Sequence, residues 1–307
     1  MNKERKQFMK NSKPVLRVLA VVTAFACIAT AADAPKLTFN FHKANVPGAL
    51  QTIPQNANNA GVMVGNYEDK DGVNHGYILD GKNLRKVDDP KGTNTICCGV
   101  NLNGPIMLVG YYTNSAGTYV GFLYNPKTRK FKDIRGPKGA ISAGAGGIND
   151  KGEIVGAYEE PSNVWHGFLL EGGEYKTLDV PGAAQTYATG INDKGYIVFY
   201  WTDSSRATES SIYSPNTKKY TKINVPGASN SAALSIDSAS DVVYQWTESP
   251  SGPVQGALRV HATKKFYKFD YPQSVATSAN GINDKHLIVG PYQKKNGLLS
   301  GYKATYK

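Results

Sequence analysis

Short apolar runs separated by turn-forming residues set the pattern of this chain, most clearly between residues 142 and 183. Ser142 to Ile148 is small and apolar, Asn149-Asp150-Lys151-Gly152 is a polar turn, and Glu153 to Tyr158 is apolar again. A variable stretch, Glu159 to Val164, follows; then come Trp165 to Leu170, the turn Glu171-Gly172-Gly173-Glu174, and Tyr175 to Leu178. Runs of this length bounded by Gly, Asn and Asp predict four strands joined by tight turns. Gly152 falls where the first hairpin needs left-handed backbone, and a G1 bulge is expected there. Beyond residue 31 no stretch sustains the 3.6-residue period of a helix.

The pattern repeats. Pro47, Pro90, Pro137, Pro181, Pro226 and Pro272 recur about every 45 residues, and so do Val64, Val109, Val155, Val198, Val243 and Val289. A third mark is Gly76, Gly121, Gly167, Gly256 and Gly301, with Ser211 read in the fourth place. Six four-stranded units at this period predict an all-β six-bladed β-propeller. The Ala- and Gly-rich first strand of each unit is expected innermost, where blades crowd the axis. The last unit ends after its third strand, whereas Phe39 to Ala44 precedes the first unit as a lone fourth strand, with Phe41 in the place of Phe131 and Tyr175. That N-terminal strand is expected to complete the last blade and close the ring, removing exposed edges.

Composition refines this picture. Lys3, Arg5, Lys6, Lys10, Lys13 and Arg17 precede an apolar run, Val18 to Ala29, too short to span a membrane comfortably. With Ala29-Thr30-Ala31 behind it, residues 1–31 read as a secretory signal and 32–307 as one domain, secreted to the periplasm or the exterior. An uncleaved anchor, or a lipoprotein built on Cys27, is the alternative. The leader holds net +5 of the formal +11, leaving about +6 with no arginine-rich stripe, so nucleic acid is not an expected partner. Only Cys97 and Cys98 lie beyond the leader. Adjacent strand residues face opposite ways, so two free thiols are expected rather than a bridge.

The runs Gly-Ile-Asn-Asp-Lys-Gly-x-Ile-Val-Gly (from Gly147, and in varied form from Gly190 and Gly281), His166-Gly167-Phe168-Leu169 and Asp179-Val180-Pro181-Gly182-Ala183 resemble the HAF-repeat family of bacterial extracellular proteins. The likeness spans the chain after the leader, is strong in units three and six and the first half of unit four, and is degenerate elsewhere: Phe199 and Tyr244 replace Gly, and Ser235-Ile236-Asp237-Ser238 replaces Gly-Ile-Asn-Asp. It implies export and a propeller-like fold, and it carries over no catalytic residue.

Candidate chemistry is sparse. Tyr67, Tyr112, Tyr158, Trp201, Trp246 and Tyr292 share one repeat position at the end of strand two. Packing between blades explains such a set, since aromatics carry much buried area; an aromatic-lined mouth for sugar rings is the functional alternative. Tyr200 and Tyr244 join it where units four and five break the pattern. Asp88, Asp179 and Asp270, with Asn45, Arg135 and Asn224, stand two residues before each Pro. They read as turn residues or as a polar ring for a cation or sugar hydroxyl. The Asn-Asp-Lys-Gly hairpins lack the ligand alternation of a calcium loop and read as turns, with lysines at their tips on the opposite face. No nucleophile motif, phosphate loop, metal-ligand spacing or cofactor fingerprint is present. The expected function is a monomeric, non-enzymatic module binding an extracellular glycan or protein, without cofactor or metal. A glycan-active hydrolase or lyase is the alternative, and it would need paired carboxylates facing the channel.

Overall fold

The computed structural model describes residues 37–307, and the signal reading at 1–31 lies outside the described residues. The third unit forms the strands Ser142–Ile148, Ile154–Glu159, Trp165–Glu171 and Glu174–Thr177, paired in order as one antiparallel sheet. Units one, two, four and five repeat this sheet over residues 51–87, 93–134, 185–222 and 230–269. The sixth sheet takes its outer strand from the start of the domain: Phe39–Lys43 pairs antiparallel with Leu299–Tyr306, Phe41 opposite Ala304. The described residues are thus all-β, a six-bladed propeller closed by the N-terminal strand. Phe39 seals the seam against Phe269, ring centroids 4.4 Å apart.

Six apolar clusters lie between neighbouring blades. Their packing explains the broken repeats. In four blades a strand-two Gly faces a strand-three aromatic: Gly65 with Tyr77, Gly110 with Phe122, Gly156 with Phe168 and Gly290 with Tyr302. Blades four and five reverse the pair, as Phe199 with Ser211 and Tyr244 with Ala257. The ring moves to the neighbouring strand and the volume between blades is kept, which close packing demands. Ser211 therefore aligns with Phe168. Ser210 takes the place of Gly167, one residue before the position read from the sequence.

The Asn-Asp hairpins do more than turn the chain. Asn149 Oδ1 accepts from the N–H groups of Lys151 and Glu153, while its Nδ2 donates to Asn192 O in the next blade at 3.2 Å. Asn192 and Asn283 repeat this reach, to Asp237 O at 2.9 Å and Asn58 O at 2.6 Å. One residue on, Asp150 Oδ1 accepts from the N–H of Asn103 in blade two, and the Asp150 N–H donates to Asp193 Oδ1 in blade four, both at 2.8 Å. The motif fastens each blade to its neighbour. Gly152 has the expected left-handed φ of +81°, but the register shift of blade three lies between Ala145 and Gly147, inside strand one.

Candidate functional site

That shift recurs in the first strand of blades one to five, each time with one unpaired residue. A bulge re-aims its extra residue, and here it points to the axis. The residues so placed are Gln55, Cys98, Gly146, Thr189 and Leu234, with Asn280 at the matching place in blade six. All six line the central cavity. The next row outward is made by strand pairs: Ile96 with Tyr111 in blade two, Gly144 with Ala157 in blade three, and Tyr187 with Tyr200 in blade four.

Blade three is the small one. Its Gly144, Gly146 and Ala157 stand where its neighbours carry Ile, Cys and Thr, or Tyr. The missing volume opens a cleft of about 380 Å³ on the face of the strand-two-to-three loops. Tyr111 and Tyr119 wall one side, their centroids 5.2 Å apart at 68°. Tyr187 and Tyr200 wall the other, stacked at 4.6 Å and 18°. Trp165 closes the outer end, 5.7 Å from Tyr187. Gly146 has a second reason to be glycine, because a Cβ there would lie 2.9 Å from Ala188 O in blade four. Gly144 does not: the atoms nearest a Cβ there are all of the Tyr111 side chain, at 3.5 Å and beyond.

No charged side chain lines this cleft. Burial pushes the phenols of Tyr111, Tyr200 and Tyr187 above their ordinary range, so all three stay neutral hydrogen-bonding groups. The Cys98 thiol is pushed up to about 12 by desolvation, which keeps it out of the thiolate form a nucleophile needs. Cys97 and Cys98 are both free thiols, Cys97 buried between blades and Cys98 facing the cavity. Among the described residues no cluster of His, Cys, Asp or Glu could hold a metal ion.

Of the aromatics singled out from the sequence, Tyr200 is in the cleft. Tyr112, Tyr158, Trp246 and Tyr292 are buried in four different inter-blade clusters. Tyr67 and Trp201, half-buried, pack against two more. The repeat position therefore forms no mouth. Trp201 Nε1 bonds Ser211 Oγ, Trp246 Nε1 bonds Gly256 O, and Tyr158 Oη pairs with Thr177 Oγ1. Tyr244 is wholly buried as the reversed packing partner of Ala257.

The residues before the prolines clamp the third strand rather than the turn. Asn45 and Asn224 accept from the N–H of Gly301 and Ser210. Asp88 and Asp179 pair with Nδ1 of His75 and His166, at 2.9 and 2.8 Å. His75 also reaches Asp69, at 3.0 Å through Nε2. Burial raises the Asp270 carboxyl above its usual range. Asp88, Asp179 and Asp270 belong to different blades and do not converge.

Tyr111, Tyr119, Trp165 and Tyr187 were missed. Their signal is alternation: Tyr111 and Tyr200 each adjoin a repeated aromatic and so face the opposite way, towards the axis. Aligning Gly144, Gly146 and Ala157 with their repeat partners marks the gap.

No protein-family model matches the chain, and no curated protein matches it. The HAF-repeat likeness thus rests on its motifs alone. Solved structures do match. TolB of Acinetobacter baumannii has a TM-score of 0.54 at 12% identity, over 79% of this chain and 63% of that one, so this chain spans less than two thirds of its length. The six-bladed fungal lectin of Aleuria aurantia, described with a fucose recognition mode, has a TM-score of 0.53 at 12% identity, over 87% and 96%. An acylaminoacyl peptidase has 0.51 at 13%, over 84% and 44%. A binding protein and an enzyme share this scaffold, so likeness at these identities gives the propeller fold and leaves the chemistry to the site.

Proposed function

We propose that this chain is a monomeric, exported binding module whose central cleft takes a neutral glycan. The observation that carries the reading is the uncharged cleft with aromatic walls and a glycine floor. A sugar ring has an apolar face that packs on aromatic side chains and hydroxyls that pair with phenols and amides. A cleft of about 380 Å³ is within the range of small-ligand sites. Export rests on the basic and apolar leader. Among the described residues no helix is long and apolar enough to cross a membrane.

The hydrolase or lyase alternative asks for two carboxylates across the cavity. Neither the cleft nor the inner chamber is lined by Asp or Glu, so the binding reading is the better supported one. The test is a neutral-glycan array probed with the chain from residue 32, alongside Trp165→Ala and Tyr187→Ala. Binding lost in both variants, with their folding intact, supports the reading. Glycan binding unchanged in both, or capture of a protein partner with no glycan bound, counts against it.

A further inference from the structure

The cleft is the outer half of a larger space. The inner chamber, about 350 Å³, shares Cys98, Tyr111, Gly146, Thr189 and Tyr200 with it. Below, the axis is plugged. Ile148, Ile191, Ile236 and Ile282 are buried where the inner strands converge, and the void left among them is about 10 Å³, no more than one water occupies. The space narrows to this constriction on one side and widens into the cleft on the other.

Its two sides differ in kind. Blades two to four present the aromatic wall. Blades five, six and one present amides: Asn280 Nδ2 donates to Gln55 Oε1 at 3.0 Å, and the Gln245 amide lies 3.2 Å from Ser278 Oγ, whose one proton goes to Asn280 Oδ1 at 2.5 Å. The Asn280 bond fixes the Gln55 oxygen. The Nε2 groups of Gln55 and Gln245 have no partner among the described residues, and both glutamines line the chamber. An aromatic wall facing unpaired amide donors suits a ring with one apolar face and hydroxyl acceptors.

From the constricted end and the facing walls, we infer that the site reads the terminal residue of a neutral saccharide chain and not an internal segment. The inference rests on the glycan reading above. An internal residue carries chain on both sides, and to reach Gln55 and Gln245 in the inner chamber both ends would have to double back through the cleft past Tyr119 and Trp165, since the axis beyond narrows to about 10 Å³. A terminal residue enters end-on, its apolar face on the aromatic wall at Tyr200 and its hydroxyls on Gln55 and Gln245, which line the same chamber, while the chain leaves past Tyr119 and Trp165.

The test uses neutral glycans printed with free termini, the same glycans capped by sialic acid, and soluble competitors running from the methyl monosaccharide to the hexasaccharide. The expected result is that hits group by terminal residue, capping abolishes them, and the monosaccharide competes within about twofold of the hexasaccharide. Gln245→Ala, at an exposed side chain, is expected to weaken binding about tenfold and to blur discrimination between hydroxyl epimers. Affinity that rises about tenfold or more with chain length, or binding that survives the cap, overturns end recognition while the glycan reading stands. No neutral glycan bound overturns both.

Discussion

Tyr187 and Tyr200 lie opposite each other on the first two strands of blade four, and their rings stack 4.6 Å apart at 18°. The same positions in blade three are Gly144 and Ala157. A bulky pair beside a bare one makes a wall and a floor, and the cleft follows from that contrast. Offset aromatic pairs are worth about 0.5–1.5 kcal/mol beyond burial. Tyr187→Ala is therefore expected to cost about 1–2 kcal/mol in a urea titration, too little to unfold the domain, and to lower affinity for an array hit about tenfold.

Phe199 and Ser211 form a reversed copy of the Gly156 and Phe168 pair. Phe199→Gly alone should destabilise by about 3–4 kcal/mol, since it empties a buried ring site. Ser211→Phe alone should overpack the interface by about 1–3 kcal/mol. The double variant restores the arrangement of the other blades and should recover most of the loss. A denaturant double-mutant cycle checks this, and additive costs would refute the exchange.

Asp237 stands where other repeats carry Asn149, Asn192 or Asn283. It is buried, and desolvation together with Asp241 pushes its carboxyl up to about 7. The folded state thus holds this proton more tightly than the unfolded chain does. The contribution to stability is fully present below about pH 4 and is lost as pH rises through about 7. Asp237→Asn should flatten that loss and gain about 2 kcal/mol at pH 8. The check is thermal unfolding of both proteins from pH 4 to 8.

Closure by Phe39–Lys43 packs half-buried Phe41 against Tyr302, centroids 5.6 Å apart, and half-buried Phe39 against Phe269. Full burial of an aromatic is worth about 1.5–3 kcal/mol and each of these half-buried rings contributes part of that, while removing the strand also bares the edge Leu299–Tyr306. A chain starting at Pro47 should lose several kcal/mol of stability and aggregate on mild heating, as light scattering would show.

The propeller was legible because period, turn residues and strand patterning repeat, and three marks agree on six units. Seam closure was legible from one displaced fourth strand. The cleft was not, for a physical reason. Repetition points to what blades share, so Tyr112 and Trp246 stood out and proved to be packing. A pocket on the axis comes from what one blade lacks, and Gly144 is inconspicuous in a glycine-rich strand. The bulges that turn Gln55, Cys98 and Thr189 inward also shift strand alternation by one residue, a change invisible to period-two reading. The role of Asn149 and Asp150 as fasteners depends on the neighbouring blade, which lies 43 residues away in the chain.

If the cleft floored by Gly144 is the glycan site, filling that floor must abolish binding. Gly144→Val does this, because the atoms nearest an added Cβ all belong to the Tyr111 side chain, from 3.5 Å outward, and none is backbone. Calorimetric titration of the strongest array hit into the unaltered chain and into Gly144→Val should show binding reduced about a hundredfold or more, with the unfolding temperature unchanged. Equal affinity in the two proteins would contradict the account.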